Sequence, residues 1–87
     1  MDVEFDPAKA EMNQKKHGVS FMEAATVMDD PMALVSEDAS HDEQRFQMIG
    51  ADAFGRVLTV IFTYRDNIHR IISARKSENW ERKLYEG

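Results

Sequence analysis

The residues RVLTVIFTYR, positions 56–65, constrain the fold more than any other part of the chain. They are β-branched and aromatic and nearly continuous in apolar character, which is how a central strand reads when both of its faces are covered. Asp66-Asn67 then separates them from IHRIISAR, positions 68–75, as the turn of a β-hairpin would. Such a strand needs a sheet around it and layers on that sheet, so the rest of the chain has to supply both.

VEFD, positions 3–6, alternates apolar and acidic residues only long enough for a brief edge strand. Asp6 is a good N-cap and Pro7 suits the first helical position. A helix is therefore expected from Pro7 to about His17, with Ala8 and Met12 inward and Gly18 as its left-handed stop. Ser20 and Glu23 form a capping box for a second helix, with Val19 and Ala24 as a staple. Phe21, Ala24, Ala25 and Met28 recur on one buried face, and Asp29-Asp30-Pro31 ends the helix. MALV (32–35) then predicts a short strand, SEDASHDE (36–43) an acidic loop, RFQMIG (45–50) a strand and ADAFG (51–55) a turn. Ser77 is expected to cap a closing helix over ENWERKLYEG (78–87), with Trp80 and Leu84 one turn apart and facing the sheet. The expected class is α+β: two N-terminal helices, an antiparallel meander of about four strands, and a C-terminal helix packed on the sheet.

At 87 residues the chain has length for one domain, 1–87, with one modest core. No apolar run approaches the ~20 residues needed to span a bilayer. The acidic opening residues do not resemble a secretory signal, and the absence of cysteine excludes disulfides and thiolate metal sites. A cytoplasmic location and no membrane partner are expected. The net charge of -5 argues against nucleic acid, since phosphate binding depends on Lys and Arg displacing counterions. Its distribution argues the other way. Residues 1–55 carry 12 acidic and 4 basic side chains, whereas residues 56–87 carry 4 acidic and 7 basic ones. A local basic face can attract RNA even on an acidic protein, and ordinary solvated surface charge is the competing explanation.

NQKKHGVSFMEAATV, positions 13–27, has the outline of a helix-turn-helix. In a DNA reader the second helix must offer hydrogen bonds to base edges near its start. Here it offers Phe21 to Met28 with no Arg, Lys, Asn or Gln, then Asp29 and Asp30, which repel phosphate. DNA reading by this element is rejected. Asn13, Lys16 and His17 cluster at the end of the first helix, where they suit a phosphate. They equally suit a helix C-terminus, whose dipole favours cations, with Asn13 bonded to backbone. His17, His41 and His69 lack ligand spacing, so neither a metal nor another cofactor is expected. No nucleophile elbow is present.

DPAKAEMNQKKHGVSFMEAATVMDDP, followed by RFQMIG, GRVLTVIFTYR, RIISARK and ERKLY, resembles the BrnT family of bacterial toxins over nearly the whole chain. That resemblance implies a RelE-like ribonuclease fold, RNA cleavage that arrests translation, and neutralisation by a BrnA antitoxin with a ribbon-helix-helix DNA-binding part. It further implies a complex of two toxins on a dimeric antitoxin core, with operator DNA bound only through the antitoxin. NQKKHGVSF matches the family pattern N-x-x-K-H-G-V-S-F and carries over Asn13, Lys16, His17 and Gly18. ISARK carries over Arg75 and Lys76, and ERKLY carries over Arg82 and Tyr85.

Metal-free RNA cleavage needs the 2′-hydroxyl deprotonated, the charge on the crowded phosphate stabilised and the leaving 5′-oxygen protonated. On that chemistry His17 is the expected general base or acid. Lys16, Arg45, Arg65 and Arg75 are the expected phosphate stabilisers, and Tyr85 a stacking or proton-relay group. Asn13, Lys76 and Arg82 join Arg45 and Arg65 as expected RNA-binding residues. Each has a plainer alternative: Arg45 and Arg65 as solubilising strand-edge charges, Arg75 as the partner of Glu81, Tyr85 as a cover for the core. His69 is expected to be structural or solvent-facing. A non-enzymatic module that only docks a partner protein or nucleic acid is the competing function.

Overall fold

A computed structural model describes residues 2–38 and 43–87. Among them the chain forms strand β1 (Val3–Glu4), helix α1 (Pro7–His17), helix α2 (Phe21–Ala25) and a 3₁₀ turn (Thr26–Asp29). Strands β2 (Leu34–Asp38), β3 (Arg45–Ala51), β4 (Val57–Arg65) and β5 (Ile68–Lys76) follow, and helix α3 (Asn79–Glu86) closes the fold. The class is α+β as expected, but the sheet is mixed and has five strands in the order β1-β5-β4-β3-β2. β2 to β5 are the antiparallel meander, and β1 adds a parallel edge through Val3 opposite His69 and Glu4 opposite Arg70. β4 is the central strand. The β4–β5 hairpin turns through Asp66 (φ 54) and Asn67 (φ 65), both left-handed as a tight hairpin turn of this hand requires.

Alternation along β4 assigns the two faces. Leu58, Val60 and Phe62 point to one side, where they join Val19, Phe21, Ala24, Val27, Met48, Ile71 and Ala74 in the apolar core under α1 and α2. Thr59 points to the other side, where α3 lies: Thr59 Oγ1 meets Ser77 Oγ at 2.7 Å, and Arg75, opposite Thr59, bonds to Glu81 of α3. Ile49 is buried on this second face, outside the main core.

The helix signals at Asp6, Gly18 and Ser20 hold: Ala8 N–H donates to Asp6, Gly18 has φ 69, and Ser20 and Glu23 exchange both bonds of the capping box. The buried face of Phe21, Ala24 and Met28 also holds, with Ala25 partly covered. Other expectations fail for identifiable reasons. Ala8 and Met12 face outward, Met12 being 69% exposed, because α1 rests on the sheet through Ala10, Asn13 and His17. The second helix stays α-helical only to Ala25: Thr26 and Val27 are β-branched, and Thr26 Oγ1 bonds back to the Glu23 carbonyl, tightening the chain into 3₁₀ form. The strand expected at 32–35 shifts to Leu34–Asp38 and takes in part of the expected loop, because backbone pairing with β3 and not side-chain burial defines this exposed edge. The rest of that loop, including His41, lies outside the described residues apart from Glu43. Trp80 and Leu84 do not face the sheet; they are 56% and 58% exposed, while Glu81 and Tyr85 of the same helix turn inward. Ser77 does not cap α3, since its hydroxyl is engaged by Thr59 and the cap position falls to Glu78.

Candidate functional site

The C-terminal turn of α1 carries Lys15, Lys16 and His17, which share a groove with Ile72 and Ser73 of β5. What fixes it there is Asn13. Its side-chain amide donates to the Ala74 carbonyl at 2.8 Å and accepts from the Ala74 N–H at 3.1 Å, completing the open edge of β5 as a neighbouring strand would. The same NH₂ donates to the Val19 carbonyl at 2.9 Å, so one buried side chain ties helix, turn and sheet together. Both of its donor hydrogens are consumed, which makes Asn13 a holder of the site and leaves nothing of its NH₂ for a phosphate.

Between Asn13 and the short β1, the edge of β5 is interrupted. Ile61 opposes Ser73 and Phe62 opposes Ile71, so Ile72 has no opposite residue and forms a bulge. Here α1 and β5 enclose an open groove of about 530 Å³, lined by Lys9, Met12, Lys16, His17, Ile72 and Ser73 among others. Lys9, Met12 and Lys16 share one helical face at i, i+3, i+7 spacing. Lys9, Ile72 and Ser73 were not anticipated. The helical spacing could have indicated Lys9, whereas a bulge leaves no trace in composition.

A second groove of about 420 Å³ lies between β4, β5 and α3, and Arg56, Lys76 and Arg82 line it with Ser77 and Glu86. Arg56 is tethered: its Nη2 lies 2.7 Å from Asp52 and 3.2 Å from Glu23. Along β5 the two grooves are separated by the step from Ser73 to Lys76, roughly 10 Å of extended chain.

Arg75 and Tyr85 are both engaged. Arg75 forms a two-point bond with Glu81, Nη1 to Oε1 at 2.7 Å and Nη2 to Oε2 at 2.9 Å. Glu81 is completely buried, and burial pushes its carboxyl pKa upward. Hydrogen bonds from Arg75 and the Glu78 N–H outweigh that effect and hold it below the ordinary value. Arg75 is raised in turn, chiefly by its bond to Glu81. Tyr85 Oη donates to Asp30 at 2.5 Å, on a carboxylate that also accepts Ala51 N–H at 2.8 Å and Met32 N–H at 2.9 Å. Burial raises the Asp30 pKa, the three bonds together lower it by more, and the net direction is down; the bond to Asp30 pushes Tyr85 up, so its phenol keeps its proton.

Arg45 and Arg65 are not part of this assembly. Arg65, in the hairpin pair with Ile68, lies six residues along β4 from Thr59, the partner of Arg75, or about 20 Å of strand. Arg65 stands 3.9 Å from Glu43, and Arg45 sits opposite Asp38 in the sheet. His69 packs against Phe62 and Tyr64 with ring centroids 5.1 and 4.6 Å away, and burial lowers its pKa. Among the described residues no group of three or more His, Asp or Glu side chains comes together in a way that would hold a metal ion. Nor, among them, is any helix long and apolar enough to cross a membrane.

Residues 5–81 match the family described as the ribonuclease toxin, BrnT, of type II toxin-antitoxin systems. The chain belongs to the BrnT family. Members of this family are ribonuclease toxins, each acting on RNA and opposed by a protein antitoxin. The fold agrees: the crystal structure of the Brucella abortus ribonuclease toxin BrnT superimposes with a TM-score of 0.67 over 91% of this chain and 99% of that one, at 21% identity. A comparison with curated proteins finds no match. Within that fold, Lys9, Lys16 and His17 line the α1–β5 groove, Arg75 is paired with Glu81, and Arg56, Lys76 and Arg82 line the groove beside α3.

Proposed function

We propose that this toxin cleaves RNA without a metal ion at the α1–β5 groove, with His17 as general acid or base and Lys16 beside it as a phosphate stabiliser. The observation that carries this reading is the Asn13 clamp, which fixes the turn bearing both residues against the sheet at the mouth of the groove. Preorganised charge is what such a reaction needs most, because a donor already in place costs no reorganisation when charge develops on the phosphate. Arg75 is the second stabiliser. Lys76 and Arg82 hold the RNA in the neighbouring groove, while Arg45 and Arg65 add charge farther along the sheet for a longer strand. Asn13 and Tyr85 act by holding the helices in place.

The same reading makes residues 1–87 one toxin domain working in the cytoplasm, where cleavage of RNA arrests translation. Its inhibitor is a BrnA-type antitoxin with a ribbon-helix-helix part. Such proteins dimerise to bind DNA, so two toxins would sit on one antitoxin dimer, and only the antitoxin would contact the operator. The test is RNA cleavage by purified, antitoxin-free protein with a chelator present. Cleavage is expected to persist and to fall ~10²-fold or more in His17→Ala with little change in melting temperature. Activity that returns only with added magnesium removes the metal-free mechanism, and RNA left intact under both conditions leaves a docking module in place of an enzyme.

A further inference from the structure

α3 is built against the usual rule for a surface helix. It buries Glu81 completely and exposes Trp80 and Leu84, although a carboxylate is among the most costly side chains to bury. The cost is offset by three hydrogen bonds to its two oxygens, two of them from a guanidinium. Oε1 accepts Arg75 Nη1 at 2.7 Å and Glu78 N–H at 2.8 Å, and Oε2 accepts Arg75 Nη2 at 2.9 Å. The pair is unevenly covered: the side chain of Glu81 is 0% exposed and that of Arg75 is 33% exposed. The Arg75 fork is engaged through three of its N–H donors, by Glu81 twice and by the Lys76 carbonyl at 3.4 Å, which leaves two for another acceptor.

We infer that Glu81 is a positioning residue that holds Arg75 in one orientation for the phosphate of the RNA. This rests on the reading that Arg75 is a phosphate stabiliser. A free arginine side chain on a strand surface samples many rotamers, and each must be given up when it meets its target. A two-point bond to a buried carboxylate removes that freedom in advance, and the planar fork of arginine suits such a bond where lysine does not. The anchor also couples the orientation of Arg75 to the docking of α3, since Glu81 is the residue through which the first turn of that helix is closed.

Glu81→Gln separates the two roles of this side chain. Glutamine still serves at the third position of a capping box, so the helix start is preserved, but it cannot offer two anionic oxygens to the fork. On a single-stranded RNA oligonucleotide, at a temperature where the variant is folded, it is expected to lose about 10- to 100-fold in kcat with KM nearly unchanged, alongside a lowered melting temperature. Adding Arg75→Ala to Glu81→Gln should cost no more than Arg75→Ala alone, because Glu81 acts through Arg75. Losses that simply multiply in the double variant, or full activity in Glu81→Gln while Arg75→Ala is impaired, overturn the inference. Full activity in Arg75→Ala alone is a different result: it removes Arg75 from the proposed site. Should Glu81→Gln not fold, NMR of the parent protein decides, since a two-point bond slows guanidinium rotation and keeps the Arg75 Nη protons distinct. A 2′-deoxy oligonucleotide of the same sequence, which lacks the nucleophile, should then shift those signals, and averaged or unmoved Arg75 signals overturn the inference.

Discussion

The two faces of the sheet are held by different forces. Under α1 and α2 the seal is apolar: Val19, Phe21, Ala24, Val27, Leu58, Val60, Phe62, Ile71 and Ala74 close on one another with almost no exposure. Under α3 the attachments are polar, Glu81 to Arg75 and Tyr85 to Asp30, while the large apolar residues Trp80 and Leu84 face water. Apolar packing is non-directional and holds volume, whereas a two-point ion pair holds orientation. The first face thus sets how stable the toxin is, and the second sets where its charged groups point.

That division can be broken most severely from the apolar side. Phe62→Ala empties the centre of β4 and should cost about 3–5 kcal/mol in urea unfolding; a loss below ~1 kcal/mol would mean the core does not bear the fold's stability. Gly50→Ala probes the same side by overfilling. A Cβ there would lie 2.9 Å from both Ala33 Cβ and Val27 Cγ1, and the Ala33 methyl can move only with its backbone, so a cost of about 1–3 kcal/mol is expected. Unaltered stability would show that the 3₁₀ turn can retreat from β3 freely.

Acid should act on the other side first. Asp30 and Glu81 are held below their ordinary carboxylate values in the folded protein, so each contributes stability that is present above its unfolded pKa and disappears as pH falls through the folded one. The window therefore lies below about pH 4, and neutral to alkaline conditions leave these bonds intact. Asp52 in the β3–β4 turn shifts in the same direction and adds to the general acid loss. Trp80 is the only tryptophan of the chain and sits on α3, so its fluorescence should change at higher pH than far-UV circular dichroism. Coincident transitions would show that both faces let go together. The smallest effect is expected from Trp80→Ala and Leu84→Ala, each within about 0.5 kcal/mol, because neither side chain is buried in the fold. A larger loss would mean that α3 rests on apolar contacts after all.

The same contrast explains what the sequence disclosed. Elements governed by local chemistry were legible: the caps at Asp6 and Ser20, the Gly18 stop, the Asp66-Asn67 hairpin and the doubly covered β4 all depend on residues near one another in the chain. Where attachment is polar, the hydrophobic pattern points the wrong way. Met12, Trp80 and Leu84 read as inward because they are apolar, while the inward positions belong to Asn13, Glu81 and Tyr85; Asn13 and Tyr85 meet partners far away in sequence, whereas the pairing of Glu81 with nearby Arg75 was already open as the plainer role of that arginine. The candidate site was legible as a set of residue types in motifs. Its division into two neighbouring grooves, with Arg45 and Arg65 at the far end of the sheet, depends on strand register and on the bulge at Ile72, neither of which composition records.

The Asn13 amide has one more consequence, and it concerns time. Ala74 N–H has a side chain as its acceptor where the interior amides of β4 have another strand, so its proton can exchange with solvent whenever α1 lifts, without the sheet having to open. That single amide is a built-in clock for the docking of α1. Its exchange rate, set against those of the amides in β4, would measure how often the turn carrying Lys16 and His17 leaves the sheet in the resting toxin, and whether a bound inhibitor slows that motion.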